Sequence, residues 1–282
     1  MRLRKPNLDS VALVKYKQDI RRTLEEGLNL LGGFGELKSP VLVKPNLCTI
    51  KDGTGHSVTD TEVVKIIIDL LLEKDSKLSI RIIESDSQSK NAQECFEKFG
   101  YTEFCESKQE SGFDVSTIDL SRIPLTRISF NGEYFNNPEL PDILTRPHYF
   151  VSVAVAKTHG ISYITGVLKN LFGVLPRKDM SFYHPKISEV ITDIARIIKP
   201  ELNIVDARIG VEDWNGPTTH EIGAFILGRH PVSVDAVMTR LFELNPQDVN
   251  HLVNSSKYNL GILEPEVIGE SIDEMSVKFD PP

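Results

Sequence analysis

Tyr149-Phe150-Val151-Ser152-Val153-Ala154-Val155-Ala156-Lys157-Thr158-His159-Gly160 is the stretch that decides the fold of this chain. Residues 149–155 are a β-branched and aromatic run, which predicts a strand. The run stops at a cluster of polar residues and a glycine. Thr165–Phe172 reads as a helix ended by Gly173, and Ser188 opens a second helix carrying Val190, Ile191, Ile194, Ile197 and Ile198, closed by Pro200. Leu202–Val205 is the next strand, ending in Asp206. Ala224–Leu227 is another, and a helix from Ser233 or Asp235 to about Phe242 follows it. The tail from about Gly261 is acidic and is read as one strand with a frayed end. Strand and helix alternate, the pattern of a parallel sheet covered by helices.

The same alternation is legible upstream. Residues 11–31 read as an amphipathic helix, with Val14, Ile20, Leu24, Leu28 and Leu31 near a 3.6-residue period and Gly32-Gly33 as the stop. Val41–Val43 is a short strand halted by Lys44-Pro45-Asn46. Thr59 and Glu62 have the spacing of a capping box at the start of a helix running to about Lys74. Ser79–Ile83 is the next strand, ending in Glu84-Ser85-Asp86, and a helix from about Asn91 to Phe99 stops at Gly100. The stretch 112–147 breaks the pattern. Val115–Asp119 is a strand, and Thr126–Phe130, Asn131-Gly132 and Glu133–Phe135 read as a hairpin with a type I′ turn. Pro138, Pro141 and Pro147 then crowd the chain. The expected organisation is an N-terminal α/β part (1–111), a hairpin and proline-rich insertion (112–147) and a C-terminal α/β part (148–282). The two α/β parts form either one domain or two lobes. Lys-Pro-Asn-Leu occurs at 5–8 and again at 44–47; the first copy has no apolar strand before it and is read as a chance repeat.

Composition narrows the function classes. The chain has 282 residues, 40% of them hydrophobic, with 32 Lys and Arg against 40 Asp and Glu, a net charge of −8. An acidic chain gives no bulk attraction to nucleic acid or anionic lipid. Cys48, Cys95 and Cys105 are few and widely spaced, with no C-x-x-C pair, which argues against a disulfide scaffold, a zinc ribbon and an intrinsic iron–sulfur cluster. Met1–Pro6 is not followed by the apolar stretch of a secretory signal, and the apolar runs are far short of the roughly 20 residues of a spanning helix. The expectation is a cytoplasmic protein with no membrane or nucleic-acid partner.

The chemistry falls at the strand ends. Lys44 and Asn46, then Glu84 and Asp86, then Lys157 and His159, then Asp206 each follow a predicted strand. In open α/β sheets such ends line the ligand crevice. Lys44 supplies a charge at the sheet rim, Pro45 holds it extended, and Asn46 offers a donor and an acceptor, a set suited to carboxylate or phosphate. Asp52-Gly53-Thr54-Gly55-His56 precedes a helix start whose amides could receive an anion, but it has neither a Walker pattern nor G-x-G-x-x-G. Lys169-Asn170 is a polar pair on an otherwise apolar helix. A partly desolvated Lys169 can act as acid, base or anion clamp, and His159 can shuttle a proton. Lys44, Asn46, Lys157 and Asn170 are therefore the expected substrate-binding residues, and His159 and Lys169 the expected catalytic ones. Lys44, Lys157 and Lys169 are expected to form one cluster. Asp206, Asp235 and Asp86 are candidate ligands for a divalent cation, which requires at least two of the carboxylates to converge. The competing reading of Asp235 is a favourable charge near a helix start. Trp214, in the loop after Asp206, is either a ligand wall or a packing residue.

Lys44-Pro45-Asn46, Lys157-Thr158-His159, Gly166-x-x-Lys169-Asn170-x-x-Gly173, Asp206-Ala207, Gly216-Pro217 and Pro231-Val232-Ser233-Val234-Asp235-Ala236 occur in that order. The ordered set resembles the family called domain of unknown function 362, over roughly residues 40–245. The resemblance implies a shared site at Lys44, Asn46, Lys157, His159, Lys169, Asn170, Asp206 and Asp235. Many members carry a fused ferredoxin-like segment and are described as iron–sulfur proteins. These 282 residues contain no such segment, and Glu212-Asp213-Trp214-Asn215 departs from the glycine-richer loop of the family. The leading functional expectation is an enzyme acting on a small anionic metabolite, a carboxylate or phosphate, with or without a divalent metal. The alternatives are an accessory redox or iron–sulfur-associated protein working with a partner, and a non-catalytic ligand-binding domain.

Overall fold

The computed structural model describes residues 7–282. Met1–Pro6, and with them half of the Lys5–Leu8 copy, lie outside the described residues. In chain order the elements are β1 (Val11–Lys15), α1 (Ile20–Leu30), β2 (Val41–Pro45), α2 (Thr61–Lys74), β3 (Ile80–Glu84), α3 (Ala92–Lys98), α4 (Tyr101–Glu110) and β4 (Val115–Asp119). Then come β5 (Leu125–Arg127), β6 (Glu139–Pro141), β7 (Tyr149–His159), β8 (Tyr163–Thr165), α5 (Val167–Asn170) and α6 (Ile187–Ile198). The chain ends with β9 (Leu202–Val211), β10 (Thr219–Gly228), α7 (Pro231–Leu241), α8 (Asn250–Ser256), β11 (Val267–Gly269) and α9 (Ile272–Met275).

The fold is a mixed α/β one with a mostly parallel central sheet. Its strands run in the order β11-β1-β10-β9-β7-β2-β3-β4, with β8 folded back on the end of β7. The block β9-β7-β2-β3-β4 is parallel throughout. β10 is antiparallel to both of its neighbours, β9 and β1. Strands from both flanks of the 112–147 insertion share this one sheet.

Both faces are covered. Successive residues of the inner strands enter different cores: Leu42 and Ile83 lie in one, Val41, Val43, Ile80 and Ile82 in the other. The second core receives Leu24 and Leu28 of α1, Ile67 and Ile68 of α2, and Phe96 of α3; the first receives Leu168 of α5, Ile191 and Ile194 of α6, and Val237 and Met238 of α7. Strands buried on both sides read as continuous apolar runs, which is why 149–155 stands out in the sequence.

Several expected elements are corrected. Residues 11–15 are a strand, not the start of a helix. Val11 and Leu13 face one core while Ala12 and Val14 face the other, a two-residue period that an apolar foursome hides from a helical count. Gln18, at φ 65, breaks the chain, and Asp19 caps α1 by accepting from Arg22 N at 2.9 Å. The cap of α2 is Asp60, which accepts from Glu62 N at 2.9 Å. Thr59 instead accepts from Asn46 N at 2.7 Å and donates to the Val153 carbonyl at 2.8 Å, pinning the loop after β2. The expected tight hairpin at Asn131-Gly132 is wider: β5 pairs with β6, and only an isolated bridge joins Asn131 to Asn136. Thr165 ends a strand, so the helix there begins only at Val167. Asp206 lies within β9 and not at its end.

Candidate functional site

β2, β3 and β7 are parallel, so their carboxyl ends lie side by side. Lys44 sits near the end of β2, Glu84 closes β3, and Lys157 and His159 close β7. A cavity of about 350 Å³ opens there, and Lys44, Asn46, Lys157, His159, Lys169 and Asn170 all line it. The three lysines expected to cluster therefore share one cavity. Glu84, Lys90, Cys48, Thr165, His184 and Trp214 complete much of the wall. Four lysines against one glutamate make it a positive spot in a chain of net charge −8.

Most of this charge is held by the protein itself. Glu84 is buried; one of its oxygens lies 2.5 Å from Lys44 Nζ and the other 3.0 Å from Lys90 Nζ. Lys90 also donates to the Ser85 carbonyl. Lys44 further donates to its neighbour's carbonyl at Pro45, at 2.7 Å, and to Asn170 Oδ1 at 3.3 Å. Asn170 Nδ2 donates to the Lys44 carbonyl and to Ser152 Oγ, both at 3.0 Å, so this amide stitches α5 to β2 and β7. Lys157 donates to the Ser57 carbonyl at 2.8 Å, the Trp214 carbonyl at 3.0 Å and Cys48 Sγ at 3.4 Å, which uses all three ammonium hydrogens. Gly173 is needed here, since a Cβ on it would lie 2.6 Å from Glu84 Oε1 and 2.8 Å from Lys44 Nζ.

Four groups are not so occupied. Lys169 is partly buried, with Nζ 4.3 Å from the centre of the Phe172 ring. Burial, and then the Lys157 charge, bring its ammonium down to about 8; no carboxylate among the described residues counters them. Asn46 Nδ2 and Thr165 Oγ1 are buried without a hydrogen-bond partner among the described residues. His159 Nδ1 accepts from Ile161 N at 3.1 Å and Ser162 N at 3.4 Å, which puts the ring proton on Nε2. Burial, Lys169 and Lys157 push its pKa down to about 3. His159 thus presents Nε2–H of a neutral imidazole as a hydrogen-bond donor at pH 7.

The carboxylates expected to bind metal are not brought together. Asp206 takes Arg208 with both oxygens, at 3.0 and 2.6 Å, and faces a second cavity with Asp60 and Tyr16. Asp86 accepts from Ala92 N at 2.8 Å at the start of α3. Asp235 accepts from Val167 N at 2.7 Å and Leu168 N at 3.0 Å, so it holds the first amides of the segment bearing Lys169. Gly166 is required beside it, because a Cβ there would overlap the Asp235 carboxylate. No group of three or more His, Cys, Asp or Glu side chains among the described residues is placed to hold a metal ion. The amides of the Asp52–His56 loop are also committed: Asp52 accepts from Gly55 N at 3.0 Å, Ser57 N at 2.9 Å and Val58 N at 3.2 Å.

Burial raises the Asp235 carboxyl to about 7, against the pull of its two amide bonds. Between about pH 4 and 7 the folded state therefore keeps a proton that the unfolded chain has released. Stability falls as pH rises through that window, by at most about 1.4 kcal/mol per pH unit. Asp235→Asn, which cannot ionise, is expected to remove this slope, so the wild type's advantage over it narrows from pH 4 to 7. Urea unfolding at several pH values checks this; parallel profiles for the two proteins would exclude it.

Lys90, Cys48, Thr165 and His184 are wall residues that sequence reasoning did not place in the site, whereas Glu84 was among the strand-end groups. Lys90 and Cys48 lie in loops and had no such signal.

The family model described as domain of unknown function (DUF362) matches residues 41–240. The chain belongs to the DUF362 family. The DUF362 chain is 25% identical over 250 residues to the thylakoid-associated protein sll1697 of Synechocystis sp., covering 85% of this chain and 74% of that protein. It also superposes on the lactate racemase apoprotein from Thermoanaerobacterium thermosaccharolyticum with a TM-score of 0.46 at 12% identity. That match covers 86% of this chain and 58% of the racemase chain, so the DUF362 chain spans less than two thirds of the racemase's length. No helix among the described residues is long and apolar enough to cross a membrane.

Proposed function

We propose that this protein is an enzyme that binds a small anionic metabolite in the cavity at the ends of β2, β3 and β7. The observation that carries this reading is the set of donors left over there. Lys169 has no carboxylate, and Asn46 Nδ2 and Thr165 Oγ1 have no partner, among the described residues. Buried donors without acceptors are expensive, each by about 1–3 kcal/mol, unless a ligand satisfies them. An ammonium, an amide NH₂, a hydroxyl and the Nε2–H of His159 are together suited to the oxygens of a carboxylate or phosphate. No metal is needed for that binding step.

A thermal-shift screen with acetate, glyoxylate, malonate and inorganic phosphate tests the reading. A ligand at 100 times its Kd should stabilise the fold by about 2.7 kcal/mol. Lys169→Met keeps the apolar stem and deletes the charge, so it should fold normally and weaken binding by about 1.5–3 kcal/mol. Because the Lys169 ammonium titrates near 8, affinity should decline as pH rises through 8. Absence of any shift with all four probes would rule the reading out. A ligand that binds and is always recovered unchanged would favour the non-catalytic alternative.

A further inference from the structure

We propose that Lys169 is a nucleophile that forms a Schiff base with the carbonyl carbon of a small oxo acid whose carboxylate is held by the other free donors of the cavity. This rests on the anion-site reading above and names the substrate class for it. The four cavity lysines differ in what holds them. Lys44 and Lys90 are both tied to Glu84. Lys157 spends its three hydrogens on two carbonyls and a thiol. Lys169 alone meets no acceptor among the described residues and lies against the face of Phe172. A lysine that served only as an anion clamp would be best kept fully charged. Here burial and the neighbouring Lys157 ammonium disfavour the charge, the environment that makes a lysine amine nucleophilic near neutral pH. At a pKa near 8, about a tenth of it is neutral at pH 7.

The chemistry balances without any further reactant. The lone pair of neutral Nζ adds to the carbonyl carbon, and the C=O π pair moves to oxygen. The developing alkoxide takes a proton from the new ammonium and can accept a hydrogen bond from His159 Nε2–H. The carbinolamine then loses its hydroxyl with a proton as water, leaving C=N. Asn46 Nδ2 and Thr165 Oγ1 are the donors left for the carboxylate oxygens.

The test is reductive trapping of the full chain. The protein is incubated with glyoxylate or pyruvate and cyanoborohydride from pH 6 to 9, digested, and mapped by mass spectrometry. The expected result is a reduced adduct at Lys169, formed at least ten-fold faster than at the exposed Lys186 and Lys257, with a rate that rises with pH through 8 and falls when acetate is added. Lys169→Arg keeps a cation but loses the amine, so it should retain an acetate thermal shift and form no adduct at 169. Labelling of Lys169 no faster than Lys186, or labelling faster at Lys44, Lys90 or Lys157, would overturn the proposal. Acetate or phosphate stabilisation without an adduct sinks the Schiff base and leaves the anion site standing; absence of both sinks the two together. An adduct that acetate does not slow removes the role of the carboxylate donors.

Discussion

Glu84→Ala is expected to destabilise the protein by about 3–5 kcal/mol, because it leaves buried charge without its partner. Glu84 is 2% exposed and lies between two ammonium groups that are themselves buried, Lys44 and Lys90. It also accepts from Ser85 N at 2.9 Å. Its removal leaves two buried ammonium groups in the cavity wall without the carboxylate they share. The chain can respond only by deprotonating a lysine or admitting water. Urea unfolding should show a lower midpoint with little change in slope. Adding Lys44→Met to Glu84→Ala should recover part of the loss, since the double variant replaces a buried pair with apolar volume. A midpoint equal to wild type in the single variant would show that the pair is not buried as described.

Asp193→Ala should cost about 2–4 kcal/mol through lost charge-assisted hydrogen bonds. Asp193 is fully buried on α6 and accepts from Glu133 N at 3.0 Å, Tyr134 N at 2.7 Å and Phe135 N at 2.9 Å, with Arg196 alongside at 2.9 Å. The tip of the 112–147 insertion is thereby seated on the helix. The seat reaches the cavity through aromatic contacts: Tyr134 and Phe135 meet Tyr183 at 6.0 and 6.2 Å, and Tyr183 meets Phe172 at 5.7 Å, under the Lys169 ammonium. Hydrogen exchange should rise at residues 130–137 well beyond the rise in β7. A uniform increase across both, or no increase at the tip, would contradict this anchoring.

How far the site was legible depends on the kind of residue. Lys44, Lys157 and His159 were legible because each follows an apolar strand, and parallel strands bring their ends to one edge. Lys169 was legible as a charge on an apolar segment. What each group does there was not. Lys157 and Asn170 have the residue types of ligand binders, yet their hydrogen bonds go to the protein. Gly166 and Gly173 give no chemical signal, and their roles appear only when Asp235 and the Lys44–Glu84 pair come up against them.

The sequence pattern alone makes legible the alternating α/β architecture, the core strand 149–155 and the placing of Lys44, Lys157 and His159 at strand ends, because these follow from periodicity and from residues that lie next to a strand in the chain. It misread Val11–Lys15, where four apolar residues buried on two faces carry no period that separates strand from helix. Tertiary packing alone set the antiparallel placing of β10, the division of the helices between the two faces, and the pairing of Lys44 with Glu84 across 40 residues and of Asp235 with the Val167 amide across 68. It also dispersed Asp86, Asp206 and Asp235 to three different tasks. The physical reason is common to all of these: a carboxylate takes its role from whichever donor the fold brings within about 3 Å, and that donor is often far away in sequence.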